Sequence, residues 1–133
     1  MLNVLCVAEF APSSKSVLLK TLALPANGGN SNQGHSDYVL SCRFHPDGRT
    51  IATVGHDAML KFWTLSSGKC IQDIRAHPGP ALTCDFTPEG DTLATGGAGG
   101  AIKLWDVTGR GAKSTRAYEC FKELHGHQVN KIL

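Results

Sequence analysis

The sequence predicts an all-β protein built from repeats, and three observations lead to that prediction. Residues 35–63 overlay residues 77–105 without a gap, at a constant shift of 42 residues. Within each copy, short apolar runs alternate with polar residues in the pattern of strands. The runs are separated by turns that contain glycine or proline. A period of about forty residues with these features is typical of a repeat architecture, which usually forms a binding surface rather than a catalytic pocket.

The two copies match at the positions that most restrict structure. The matched pairs are His35 with His77, Cys42 with Cys84, Phe44 with Phe86, Pro46 with Pro88, Gly48 with Gly90 and Trp63 with Trp105. Proline presets φ for a turn and glycine accepts the positive φ needed to leave it, so the Pro-x-Gly steps predict hairpins.

Four antiparallel strands are expected in each copy. Alternation over 39–44 predicts a first strand with Leu40, Cys42 and Phe44 on one face, repeated by Leu82, Cys84 and Phe86. Second strands are predicted over 50–54 and 92–95, third strands over 59–63 and 101–105, and a fourth strand of the first copy over 70–74. The second strands are apolar on both faces, which predicts that both faces are covered.

These residues resemble a known family. Gly34-His35, the Phe-x-Pro-Asp-Gly turn, Ile-Ala-Thr, Asp57 and Leu-Lys-Phe-Trp of the first copy are similar to a WD repeat. The second copy carries Thr-Pro-Glu-Gly, Leu-Ala-Thr-Gly-Gly and Ile-Lys-Leu-Trp-Asp. The resemblance covers residues 34–130 and implies blades of a β-propeller, each a four-stranded sheet packed face to face with the next.

The resemblance divides the chain into two complete blades and two partial ones. The expected complete repeats are 35–76 and 77–125, the latter with a loop insertion near 108–119. Residues 25–34 are expected to be a flexible loop insertion, because they are rich in glycine and asparagine. Residues 126–133 are interpreted as the start of a further, truncated repeat.

Residues 1–24 have two interpretations. Phe10-Ala11-Pro12 resembles Phe44-His45-Pro46, which would make it the end of a first strand. A shift of 53 residues instead places Phe10 on Trp63 and predicts the third and fourth strands of a partial blade. The second interpretation is favoured because it also gives a fourth strand over 17–24. An arc of blades leaves open strand edges, so the chain is either a segment of a longer protein or closes a ring with further copies of itself; the sequence favours the segment.

A polar set could be mistaken for a catalytic constellation. The resemblance implies that His35, Thr53, Asp57 and Trp63 form a buried structural hydrogen-bond network, because a buried indole and imidazole both need partners. The second copy supplies His77, Thr95 and Trp105, but Gly99 stands where the first copy has Asp57. The network is therefore expected to be incomplete in the second blade, and that blade to be looser.

Composition argues against several classes of function. Thirteen basic and eleven acidic side chains leave a net charge of +2, which does not favour nucleic acid or a membrane as the main partner. The five cysteines contain no Cys-x-x-Cys pair, and Cys42 and Cys84 repeat at one position, so buried free thiols in a cytoplasmic or nuclear protein are expected. No signal peptide is expected at the N-terminus.

The sequence gives no cofactor, metal or substrate motif. The six histidines are scattered, and His125-Gly126-His127 matches no metal-ligand spacing. The glycine runs at 96–100 and 109–114 lack the glycine-lysine step of a phosphate-binding loop. We therefore expect neither metal, cofactor, small-molecule substrate nor enzymatic activity.

The predicted function is protein–protein interaction. Strand order places Asp37, His56 and Met59 on the side of the second-to-third-strand turns, as candidate partner contacts. A basic loop could be phosphorylated or touch nucleic acid, with a solvated loop as the simpler interpretation; its residues are Arg110, Lys113, Ser114, Thr115 and Arg116. The alternatives are a non-autonomous fragment and self-association through open blade edges.

Overall fold

The structure, a computed structural model, describes residues 4–9, 16–22, 34–108 and 117–126. In these ranges every regular element is a β-strand, as the sequence predicts. The strands are β1 Val4–Glu9, β2 Ser16–Leu22, β3 Val39–Phe44, β4 Thr50–Gly55, β5 Met59–Thr64, β6 Lys69–Arg75, β7 Ala81–Phe86, β8 Thr92–Gly97, β9 Ile102–Asp106 and β10 Glu119–Leu124. No helix in the described ranges is long and apolar enough to cross a membrane.

Two four-stranded antiparallel sheets carry the repeats. The first sheet has the strand order β3-β4-β5-β6 and the second sheet β7-β8-β9-β10, each in chain order. Gly48 and Gly90 leave their hairpins with φ of 72° and 77°, the conformation for which glycine is suited. The two complete four-stranded blades are thereby confirmed.

The remaining two strands, β1 and β2, pair with each other in antiparallel fashion. Their assignment to the third and fourth strands of a partial blade stays a prediction. The predicted loop over 25–34, except Gly34, lies outside the described residues, as do the basic loop residues 110–116 and residues 127–133.

The expected face of the first strands is wrong at one position in each copy. The register shifts between Val39 and Ser41, so Leu40 leaves the alternation and is 42% exposed. An equivalent shift between Ala81 and Thr83 leaves Leu82 36% exposed. A β-bulge re-aims a side chain in this way. Val39 therefore lies on the same face of its sheet as Cys42, and Ala81 on the same face as Cys84, in place of the two leucines.

The core lies between the two sheets. One face of β4 and β5 packs against the second sheet and is completely buried; its residues are Ala52, Val54, Leu60 and Phe62. The facing surface contributes Cys84, Leu93 and Trp105. The opposite face of the first sheet holds Ile51 and Trp63, which are also buried. The second strand of the first sheet is thus covered on both faces, as predicted. The same prediction is wrong for β8 of the second sheet, because Ala94 and Gly96 on one of its faces are only half-buried.

The repeated cysteines differ in burial. Cys84 is 1% exposed and is a free thiol, and burial raises its pKa to about 11. Cys42 is likewise not part of a disulfide, but it is only half-buried, so the expectation that both thiols are buried is wrong for Cys42. The difference arises because the second sheet packs over the side of the first sheet that faces away from Cys42, whereas Cys84 points into the contact.

Candidate functional site: a buried network beneath a turn surface

The Thr53 hydroxyl joins two buried rings in the first sheet. Trp63 Nε1–H donates to Thr53 Oγ1 over 2.9 Å, and His35 Nε2 lies 2.7 Å from the same oxygen. Thr53 stands in β4 and Trp63 in β5, while His35 belongs to the segment that enters β3. The hydroxyl can accept from the indole and donate to the imidazole at the same time. One side chain therefore satisfies both rings and ties the entry segment to the sheet.

Asp57 fixes the other edge of the His35 ring. His35 Nδ1 lies 3.0 Å from both carboxylate oxygens of Asp57. An ionised carboxylate only accepts, so Nδ1 carries the proton and Nε2 is left to accept from Thr53. The backbone N–H groups of Ser36 and Met59 also donate to Asp57, over 3.0 and 3.1 Å. The turn after β4 and the entry segment before β3 are therefore held together by one carboxylate.

The pKa shifts agree with this geometry. Burial lowers the pKa of His35 below its ordinary value of 6.5, although Asp57 acts in the opposite direction. Burial alone would raise the pKa of Asp57, but hydrogen bonds from His35, Met59 and Ser36 outweigh it and lower the pKa. These shifts favour a neutral imidazole beside an ionised carboxylate, and the distances are compatible with that state. In this state both ring nitrogens of His35 have a hydrogen-bond partner within the protein.

The second sheet repeats the contacts of the threonine hydroxyl with the two rings but lacks the carboxylate. His77 Nε2 lies 2.9 Å from Thr95 Oγ1, and Trp105 Nε1–H donates to that oxygen over 2.9 Å. Gly99 takes the place of Asp57, and the described residues supply no hydrogen-bond partner for His77 Nδ1. Burial lowers the pKa of His77 as well. The two copies therefore share the threonine bridge and differ in the carboxylate.

Two glycines that sequence reasoning did not single out make room for the imidazoles. A Cβ on Gly55 would lie 3.0 Å from His35 Nδ1 and 2.8 Å from the Tyr38 carbonyl oxygen. A Cβ on Gly97 would lie 2.5 Å from His77 Nδ1. These glycines occupy the same position of the two copies, at the 42-residue shift that aligns the histidines. Their recurrence was the available signal, since a repeated glycine within a strand often marks a close approach.

Four residues beside the network in the chain form what we call the turn surface: Tyr38 and His56 are exposed, whereas Asp37 and Met59 are half-buried. Asp37 Oδ2 and His56 Nδ1 are 3.2 Å apart, so the entry segment and the turn after β4 meet here. The Tyr38 carbonyl oxygen accepts from His56 N–H over 2.8 Å, while its side chain is 69% exposed. Tyr38 was not among the predicted contacts, because nothing in its neighbours indicates exposure.

Comparison with known proteins identifies the repeats. The family model of the WD domain, G-beta repeat, matches residues 29–64 and 68–106. A Periodic tryptophan protein 2 homolog from Dictyostelium discoideum is 44% identical over 48 residues, which is 36% of this chain and 5% of that protein. A Striatin homolog from the same organism is 42% identical over 43 residues, 32% of this chain and 5% of that protein.

A third relative is the Nuclear distribution protein nudF 2 from Aspergillus clavatus, 44% identical over 43 residues, 32% of this chain and 10% of that protein. The matched region thus spans a small fraction of the length of these relatives. The two consecutive matches to one repeat model coincide with the two four-stranded sheets, and each sheet contains its own His–Thr–Trp bridge. The chain therefore belongs to the WD domain, G-beta repeat family.

Proposed function

We propose that this chain is a protein-interaction scaffold that presents the turn surface to a partner protein. WD-repeat relatives are typically interaction scaffolds, which supports the general role. The observation that carries the specific site is the exposure of Tyr38, 69% accessible beside the Asp37–His56 pair. Tyrosine is enriched among residues that contribute most to binding, because it offers a large, rigid contact area and a polar tip.

The loops beneath this surface are held in place, which reduces the entropy cost of binding. Asp57 accepts from Ser36 N–H, next to Asp37, and from Met59 N–H, next to the turn that carries His56. The side chains that would contact a partner therefore stand on a prearranged backbone. We assign no catalytic step to the chain, and we place it in the cytoplasm or nucleus, where its four described free cysteines suit a reducing environment.

A mutational binding experiment tests the proposal. The 133-residue chain and its Tyr38→Ala and Asp37→Ala variants are immobilised, and proteins retained from cell extract are quantified by mass spectrometry. Ile71→Ala is the matched control, because Ile71 is an exposed apolar residue on β6, outside the turn surface. Each retained protein is then purified and titrated directly against the same variants.

We expect Tyr38→Ala to weaken binding of a retained protein by about tenfold or more, while Ile71→Ala leaves it unchanged. Equal affinity for wild type and both turn-surface variants would show that partners bind elsewhere. Nucleic-acid contact through residues 110–116 remains an alternative function, and steeply salt-dependent binding of RNA or DNA would support it.

A second candidate is that the chain is a non-autonomous segment of a longer WD-repeat protein. It is favoured by the small share of each relative that the chain matches, 5% for the Periodic tryptophan protein 2 homolog. Urea unfolding followed by tryptophan fluorescence distinguishes the two. A single cooperative transition supports an autonomous scaffold, and a gradual change without a transition supports the segment.

A further inference from the structure

The two sheets differ in the burial of one corresponding face. In the first sheet this face is Ala52, Val54, Leu60 and Phe62, and the second sheet covers it completely. In the second sheet the corresponding residues, which we call the open face, are Ala94, Gly96, Ile102 and Leu104. All four are only half-buried. An apolar face that is covered in one repeat and accessible in the next is a surface suited to a further sheet.

The contact between the two sheets shows what such a face accepts. Phe86 of β7 lies 6.4 Å from Phe62, measured between ring centroids. The Cys84 thiol lies 3.9 Å from the Ala52 carbonyl oxygen. At the exposed end of the contact, Arg43 Nε lies 3.6 Å from Asp85 Oδ1. An occupant of the open face would therefore carry, in the order of β7, a small thiol, a charged residue and an aromatic ring.

The first sheet itself offers this series. Cys42, Arg43 and Phe44 of β3 stand where β7 has Cys84, Asp85 and Phe86. Cys42 and Phe44 are both partly exposed in the single chain. A second copy can thus present the required side chains with the same spacing. Ile51 and Trp63 are already buried, so the available contact is the part of the face near β3.

Charge also favours a second copy as the occupant. Asp85 pairs in register with Ala94, which places it on the open face, as Arg43 pairs with Ala52 on the covered face. Asp85 therefore takes the role in the new contact that Arg43 has in the existing one. The residue opposite it in a second copy is Arg43, of opposite charge. The Asp85 side chain is 75% exposed, and a carboxylate can accept from two guanidinium groups.

We propose that two copies of this chain associate head to tail, with the β3 side of the first sheet of one copy docked on the open face of the other. Asp85 of one copy then pairs with Arg43 of the second copy, and arginine and aspartate alternate along the contacts. The interface is heterologous, because each copy contributes a different surface. This interface is distinct from the turn surface, so the proposal does not depend on whether a partner protein binds the turn surface.

A charge-exchange experiment tests this arrangement on the full 133-residue chain. Association of wild type, Arg43→Asp, Asp85→Arg and the double variant is measured by sedimentation velocity over a range of concentrations. Each single variant places like charges together and should weaken self-association by about tenfold, whereas the double variant should regain it. An equimolar mixture of the two single variants should associate more tightly than either alone, because the aspartate introduced in one variant then meets the arginine introduced in the other.

Two further variants complete the test. Leu104→Glu places a charge on the open face and should weaken association, while Ile71→Glu, at an exposed residue of β6, should not. Circular dichroism of each variant confirms the β-sheet content. A wild-type chain that remains monomeric overturns the proposal, as does self-association that ignores the charge exchange or a mixture no tighter than its components. Loss of partner binding with intact self-association would affect only the turn surface.

Discussion

Thr53 is the residue on which the buried network of the first sheet depends. Its hydroxyl serves both Trp63 Nε1 and His35 Nε2, and it is completely buried. Removing that hydroxyl without changing the side-chain shape leaves an indole N–H and an imidazole nitrogen without a partner, and a buried unsatisfied group costs about 1–3 kcal/mol.

We expect Thr53→Val to lower the free energy of unfolding by about 2–3 kcal/mol, measured by urea denaturation. Thr53→Ser keeps the hydroxyl and serves as the control, with a smaller loss from the missing methyl group. A Thr53→Val protein as stable as wild type would show that the bridge contributes nothing to stability.

Gly99 marks the residue-scale difference between the two copies. It stands where the first copy has Asp57, and a Cβ added there would meet no atom within 4 Å. Gly99→Asp should give His77 Nδ1 the carboxylate that His35 already has, and stabilise the protein by about 1 kcal/mol. The imidazole pKa of His77, followed by NMR, should rise relative to wild type, since a nearby carboxylate favours the protonated form. Gly99→Asn, which lacks the charge, should leave that pKa nearly unchanged.

At the scale of the strands, β8 must approach the His77 ring closely. A Cβ on Gly97 would lie 2.5 Å from His77 Nδ1, and Thr95 holds that ring in a buried position. Gly97→Ala should therefore destabilise the protein by about 1–3 kcal/mol through overpacking. Gly99→Ala, two residues further along the chain and in open space, is the matched control and should be nearly neutral. Equal melting temperatures for the two alanine variants would contradict this account.

The first strands show where alternation in the sequence predicts a face and where it does not. Cys42 and Phe44 lie on the predicted side, but Leu40 is displaced by the register shift after Val39. Assigning every second residue to one face assumes an uninterrupted pairing of the two strands, and the extra residue of a β-bulge breaks this alternation. The same displacement recurs at Leu82, so the bulge belongs to the repeat and is not an accident of one strand.

At the scale of the whole molecule, stability should depend on pH through the two buried histidines. The pKa values of His35 and His77 are both lowered from 6.5, so the folded state prefers the neutral imidazoles. The unfolded chain then binds more protons in the acid range, and stability is fully present above the unfolded value and lost as pH falls below it. The contribution of the ionised Asp57 carboxylate to stability is lost only at still lower pH, because the pKa of Asp57 is lowered from 3.8 in the folded state.

We therefore expect the free energy of unfolding to fall between about pH 7 and about pH 5, as measured by urea denaturation at each pH. His77→Gln removes one of the two groups and should reduce the slope of that fall. Stability that is constant or increases on acidification would contradict the assignment of neutral histidines.

The sequence by itself determined the repeat, the positions of β3 to β9, the hairpin turns and the members of the His–Thr–Trp bridge. The repeat, the strands and the turns follow from local rules, since strand alternation and turn residues are visible in nearby residues, whereas the members of the bridge came from the resemblance to WD repeats. Tertiary structure alone decided the displacement of Leu40, the unequal burial of Cys42 and Cys84, the closeness of Gly97 to His77 and the accessibility of Ile102 and Leu104. Each of these depends on which sheet packs against which face, and that information belongs to the assembled sheets rather than to any single run of residues.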